Sequence, residues 1–171
     1  MEKFMKNSME YTQLLDMAEN RLMLEKSLVK KSNIDNRDRE GRNALYWAIK
    51  TSHKHNIEVL LKENISLMVK PHLHALFHTI RNNNLDFFLY LLQIKEDINM
   101  KNGSMQSLLM VAIEERNVMM VRYLISHGIN LQIQDNRGRV ALDYAKHSNN
   151  QMIYDLVYYK LMVTGEKVLR R

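Results

Sequence analysis

Apolar residues in this chain come in paired short runs, each pair set off from the next by a polar stretch. Four of the runs begin alike: Asn43-Ala-Leu-Tyr-Trp-Ala-Ile49, His74-Ala-Leu-Phe-His-Thr-Ile80, Ser107-Leu-Leu-Met-Val-Ala-Ile113 and Val140-Ala-Leu-Asp-Tyr-Ala-Lys146. Their matching leucines, Leu45, Leu76, Leu109 and Leu142, lie 31, 33 and 33 residues apart. Self-similarity of that period predicts a stack of helical copies. A second run follows each first one: Ile57 to Leu61, Phe88 to Leu92, Val121 to Ile125 and Ile153 to Val157. Apolar positions three and four apart in these runs draw one stripe along a helix. The links Ser52-His53, Asn83-Asn84, Arg116-Asn117 and Asn149-Asn150 predict tight turns, and asparagine tolerates the left-handed backbone that ends a helix. Gly128 is the expected stop of a second helix. Upstream, Leu14, Leu15 and Ala18 predict one further helix, and Met23, Leu24, Leu28 and Val29 its partner.

Small residues recur at Ala48, Thr79, Ala112 and Ala145, where they would let neighbouring helices approach closely. The turn before the helix recurs too: Asp38-Arg-Glu-Gly41-Arg-Asn-Ala-Leu45-Tyr-Trp-Ala48 returns as Asp135-Asn-Arg-Gly138-Arg-Val-Ala-Leu142-Asp-Tyr-Ala145. With these turns and with Leu124-Ile-Ser-His-Gly-Ile-Asn130, the chain resembles the ankyrin-repeat family. The resemblance implies an all-α ankyrin-repeat solenoid of stacked helix-turn-helix units. It divides the chain into capping helices over 8–33, repeats over 34–66, 67–98, 99–131 and 132–159, and a C-terminal extension over 160–171. The chain departs from the family pattern in lacking any Thr-Pro pair. The family's histidine slot holds Tyr46, Phe77, Met110 and Asp143. The second copy lacks a glycine turn and is short between Met68 and His72, so its finger is expected to be stunted.

Stacks of this kind bind through fingers and inner helices on a concave face. Carried over position by position, the resemblance assigns Arg39, Glu40 and Arg42 to the first finger and Arg137 and Arg139 to the fourth, with Asn102, Gly103, Ser104 and Gln106 in the third. The inner helices contribute Lys50, Arg81, Glu114, Glu115 and His147. Such a face is basic at both ends with an acidic spot in the third copy, which suits a protein partner with acidic loops. Trp47, the single tryptophan, is read both as packing between helices and as a contact anchor.

Composition adds limits. The chain of 171 residues is 46% hydrophobic and 26% charged, as ordinary globular domains are. Its formal charge of +6 is spread out; the basic doublets Lys30-Lys31 and Arg170-Arg171 fall short of a nucleic-acid tail. No run of about 18 apolar residues predicts a transmembrane helix, and no signal peptide is read at the start. Without cysteine there is no disulfide, thiolate metal site or cysteine nucleophile. Of His72, His74 and His78, the last two are four apart and could face one way on a helix, but no Cys or carboxylate stands near the three in sequence, so His74 is read as a turn or cap residue and no metal is expected. No phosphate loop or nucleophile elbow occurs. Adjacent Glu114 and Glu115 point about 100° apart on a helix, so they do not converge as an acid/base pair. The chain is therefore expected to be a non-catalytic binding module without cofactor, monomeric when free and cytosolic. A basic surface for nucleic acid or acidic membrane, and a spacer for a fused domain, are the other readings.

Abundant Lys, Asn, Ile and Met with worn repeat motifs make the chain similar to ankyrin domains of AT-rich bacterial or viral genomes. It is also similar to the C-terminal ankyrin domain of the arginine ADP-riboxanase effectors secreted by enteric bacteria. That narrower resemblance implies a preceding catalytic domain in a longer protein, delivery into the host cytosol, and a host inflammatory caspase as partner. A stand-alone viral or bacterial host-interaction protein is the sibling reading.

Overall fold

The computed structural model describes residues 13–31, 33–93 and 97–165. Its contacts divide the chain into two compact units, Met1–Phe87 and Phe88–Arg171. The first holds α1 (13–19), α2 (Lys26–Lys31), α3 (Ala44–Lys50), α4 (Lys54–Lys62), β1 (Met68–Lys70), β2 (Leu73–His74) and α5 (Ala75–Arg81). Helix α6 (Leu85–Leu92) runs across the division. The second unit continues with α7 (Leu108–Glu114), α8 (Val118–Ser126), α9 (Ala141–His147) and α10 (Gln151–Thr164).

The first helix of each copy, α3, α5, α7 and α9, has seven residues. Isolated helices shorter than about 12 residues are marginal in water. Packing and end-capping must therefore hold them, and both recur at each copy. The side chain before each first helix caps it in three copies: Asn43 accepts from the Tyr46 N–H, His74 from the Leu76 N–H and Ser107 from the Met110 N–H. In the fourth, Val140 has no such side chain, and Asp143 reaches back to the Val140 N–H at 3.0 Å instead. The second helices are capped by His53, Asn84, Asn117 and Asn150. The residue before each of those caps, Ser52, Asn83, Arg116 or Asn149, takes a left-handed φ between 52° and 55°. So one pair of residues ends a helix and starts the next in every copy.

In the first unit the core is Leu45, Ala48 and Ile49 of α3 against Ile57 and Leu60 of α4 and Leu76 and Ile80 of α5, all fully buried. In the second, Leu109, Ala112, Val121, Leu124, Ile153 and Val157 play that part. The small residues Ala48, Thr79, Ala112 and Ala145 are buried throughout. Buried Asn56 of α4 joins the N-terminal pair to the first repeat. Its amide donates to the Leu22 carbonyl (2.8 Å) and accepts from the Leu24 N–H (2.9 Å). Both halves of the amide are satisfied, as a buried side chain of this kind requires.

Two sequence expectations change. The second finger is not stunted: β1 and β2 pair as an antiparallel hairpin, Met68 with His74 and Lys70 with Leu73, around Pro71 and His72. His72 takes the left-handed turn (φ 61°) without a glycine. The second helix of the N-terminal pair starts only at Lys26, so Met23 and Leu24 precede it; Leu24 is buried and Met23 exposed. The C-terminal extension is helical as far as Thr164, making α10 the longest helix described at 14 residues. Residues 8–12 of the expected cap and 166–171 of the extension lie outside the described residues.

Candidate protein-binding face

The four fingers occupy equivalent positions at Asp38–Arg42, Val69–Leu73, Asn102–Gln106 and Asp135–Arg139. In the first, Asp38 Oδ1 accepts from the Glu40 and Arg42 N–H groups, both at 2.9 Å. The Asp38 backbone closes the turn through the Gly41 N–H and the Arg42 carbonyl. Asp38 Oδ2 takes the Arg42 guanidinium at 2.6 Å and the Trp47 indole N–H at 3.3 Å. Arg42 then lies 4.3 Å over the Trp47 ring. Glu40 adds a second carboxylate to Arg42 at 2.8 Å. Burial raises the Asp38 pKa, but the bonds from Arg42 and Glu40 outweigh it and hold the carboxyl below its ordinary value.

The fourth finger repeats this with Tyr144 in the Trp47 position. Asp135 Oδ1 accepts from the Arg137 (2.8 Å) and Arg139 (2.9 Å) N–H groups. Its Oδ2 takes Arg139 Nε at 2.8 Å and the Tyr144 hydroxyl at 2.6 Å. Arg139 lies 4.5 Å over the Tyr144 ring. The Asp135 side chain is 1% exposed, against 20% for Asp38. Burial pushes its pKa up, yet the Tyr144 hydroxyl and the Arg139 and Arg137 bonds hold it far below the carboxylate range. The same Asp135 bond raises the Arg139 pKa; burial, then the Asp135 bond, raise that of Tyr144. Gln106 Nε2 extends the network, reaching Tyr144 at 3.1 Å and Glu114 at 2.9 Å.

The structure thus sorts the expected contact residues. Arg42, Arg139 and buried Trp47 are engaged inside their own fingers. Arg39, Glu40, Lys50, Arg81, Glu114, Glu115, Arg137 and His147 are exposed. Of these, Lys50 lies 4.9 Å over the Trp47 ring, and His147 Nδ1 sits 2.6 Å from the Asp143 carbonyl.

Lys50 and Arg81 come together. They line one hollow of about 480 Å³ in the first unit with Lys70, Pro71, His72, Tyr46 and His78, and none of its lining residues among those described is acidic. His78 forms part of its wall. The ring stacks on Tyr46 at 4.2 Å, with Nε2 3.1 Å from the Tyr46 carbonyl and Nδ1 3.2 Å from the Asn82 amide. Burial, against the Tyr46 bond and aided by Arg81 and Lys50, lowers its pKa to about 4. Lys70 and His72 are not among the expected contact residues, because their finger, without a glycine, reads in the sequence as a truncated one. Asp38 and Asp135, the organisers of their fingers, are not among them either, although the spacing Asp38, Arg42, Trp47 recurs as Asp135, Arg139, Tyr144. Of the turn or cap role expected for His74, the structure shows the cap. Among the described residues no group of three or more His, Cys, Asp or Glu is arranged to hold a metal ion.

A family model described as ankyrin repeats, three copies, matches residues 76–164. With the helix-turn-helix copies above, this shows that the chain belongs to the ankyrin-repeat family, an all-α solenoid class. An ankyrin repeat protein of Acanthamoeba polyphaga mimivirus is 29% identical over 142 residues, covering 78% of this chain and 18% of that protein. Alpha-latrotoxin-Lg1a of Latrodectus geometricus is 24% identical over 125 residues, covering 70% of this chain and 9% of the toxin. The chain thus spans less than a fifth of either relative's length. Repeats of this family generally mediate protein–protein interaction and are generally non-catalytic. No helix among the described residues is long and apolar enough to cross a membrane.

Proposed function

We propose that this chain is a protein-binding module whose first unit takes an acidic segment of its partner. The carrying observation is the hollow lined by Lys50, Lys70, His72 and Arg81 with no carboxylate in its lining. Uncompensated cations around a recess of that size favour a carboxylate-bearing loop, with Arg81 offering bidentate geometry and the lysines point charges. Arg39 supplies a further exposed cation on the first finger. In the second unit, exposed Arg137, Glu114, Glu115 and His147 offer mixed charge for register. Arg42, Arg139 and Trp47 support the fingers from within and serve the partner only by holding that shape.

The test is binding of acidic and charge-neutral peptides to the wild type and to a K50E/K70E/R81E chain. Preference for the acidic peptides, lost on reversal, is expected. Equal binding by both chains sinks the reading. Reversal of all four finger arginines is the poorer test, because Arg42→Glu and Arg139→Glu would break the fingers themselves. Duplex DNA is the control for the nucleic-acid reading, where affinity would fall steeply with added salt.

The narrower reading is a host-directed module, delivered by a bacterial effector into the host cytosol and taking an inflammatory caspase. Its support is the worn repeats and the Lys-, Asn-, Ile- and Met-rich composition. The mimivirus relative supports the sibling reading, a viral host-interaction protein. Direct binding to purified inflammatory caspases separates the two: saturable binding lost on the triple reversal keeps the effector reading, and no binding removes it.

A further inference from the structure

Helix α10 carries two apolar stripes. Ile153, Val157 and Leu161 are buried against its own unit. Met152, Leu156, Tyr159 and Val163 form a second stripe beside Ile125 of α8, lining a largely apolar hollow of about 730 Å³. This stripe is open: Met152 is 54%, Tyr159 72% and Val163 68% exposed. Helix α10 is also longer than α8, 14 residues against nine.

The second stripe has a particular spacing. Steps of four, three and four residues separate Met152, Leu156, Tyr159 and Val163, as along the seam of a two-stranded coiled coil. At about 100° per residue, Asp155 and Lys160 fall on opposite flanks of that seam. Both also line the hollow. In a parallel helix pair, a residue on one flank meets the residue five positions further along the other helix. Asp155 and Lys160 are five apart, so each meets the other's opposite in a second copy, twice by symmetry. An antiparallel pair would instead set Asp155 beside Asp155 and Lys160 beside Lys160.

We propose that α10 is a self-association surface, on which two copies of this chain pair their α10 helices in parallel through Met152, Leu156, Tyr159 and Val163, with Asp155 of each copy facing Lys160 of the other. The proposal departs from the expectation of a free monomer and uses no residue of the basic hollow. The seam is about 16 Å long at 1.5 Å per residue. The dimer is accordingly expected to be weak and concentration-dependent, as suits a small interface.

Sedimentation velocity on the full chain, from about 5 to about 500 μM, tests it. A reversible monomer–dimer equilibrium is expected. Asp155→Lys alone and Lys160→Asp alone should each weaken it about tenfold, and the double exchange should restore it to within about threefold of the wild type. Val163→Asp should abolish it with the melting curve unchanged, since that side chain is exposed. Orientation has its own readout, because the chain has no cysteine. A Tyr159→Cys chain should form a disulfide-linked dimer under mild oxidation, for seam positions face themselves only in a parallel pair. Four results overturn the proposal: a monomer at every concentration, a double exchange no better than the single ones, a Val163→Asp chain that still dimerises, or a Tyr159→Cys chain that stays unlinked.

Discussion

The fingers at Asp135–Arg139 and Asn102–Gln106 share one backbone and differ in what fills it. Both close with the same pair of backbone bonds, from residue four to one and from residue one to five. Both use a side-chain oxygen at the first position to hold the N–H groups of the third and fifth. Asn102 does this as well as Asp135, with bonds of 2.9 and 3.0 Å. The charge is therefore unnecessary for the turn. It serves the layer above, where Asp135 binds Arg139 and Tyr144 while Asn102 binds only Gln106. The Val69–Leu73 finger has neither oxygen nor ion pair, and strand pairing takes over. A polar acceptor shapes the finger, and a carboxylate also fixes an arginine and an aromatic ring.

Removing the acceptor is the sharpest way to break this comparison. Asp135→Ala leaves the Arg137 and Arg139 N–H groups, the Arg139 guanidinium and the Tyr144 hydroxyl without their shared acceptor, at a cost of about 3 kcal/mol in urea unfolding. Asn102→Ala gives up only the turn and one amide pair, about 1–2 kcal/mol. Equal losses would show that the charged layer contributes nothing. Asp135→Asn should keep the turn and fall between them.

Acid probes the aromatic slot where it holds His78 in place of Trp47 or Tyr144. Its folded pKa of about 4 lies below the unfolded value, so the unfolded chain takes the proton first. Stability is whole above about pH 6.5 and falls as the pH drops towards 4, by about 3 kcal/mol in all, and flattens below. Lys50 and Arg81 face the ring and add to the effect. Melting curves should show that His78→Gln removes this part of the acid sensitivity.

The left-handed position separates the copies next. Gly41 has a φ of 77°, and a Cβ there would stand 2.7 Å from Pro71 Cδ. Gly41→Ala should cost about 2 kcal/mol, against about 1 for Gly128→Ala, which has a similar φ of 76° and nothing within 4 Å. The smallest effect is a gain. Met105 takes φ 60° in the slot that Gly41 and Gly138 fill elsewhere. Met105→Gly should relieve that strain and stabilise by up to about 1 kcal/mol, read as a rise in melting temperature.

Much of this architecture was legible in the residues. Leu45, Leu76, Leu109 and Leu142 set the period, and the polar pairs from Ser52-His53 to Asn149-Asn150 marked every turn. These are local patterns, and local patterns report on the helices that carry them. The second finger was not legible. Met68 to His74 offers no glycine to mark its turn, and besides its own strand pairing the hairpin is held by the Asn43 N–H bonding the Val69 carbonyl, a partner far off in sequence. The candidate site was read in half. Lys50 and Arg81 stood out by repeat position, whereas Lys70 and His72 reach the same hollow only through that hairpin.

The sequence by itself determined the repeat, the helix pairs and the turns that link them, because each is written in the spacing of apolar and polar residues along the chain. Tertiary structure alone decided which charges are free. Arg39 and Arg42 look alike as residues three apart in one finger, yet Arg42 is bound by Asp38 and laid over Trp47 while Arg39 stands in solvent. Whether a cation meets a carboxylate and a ring or meets water depends on side-chain direction in the folded turn, and composition carries no record of that direction.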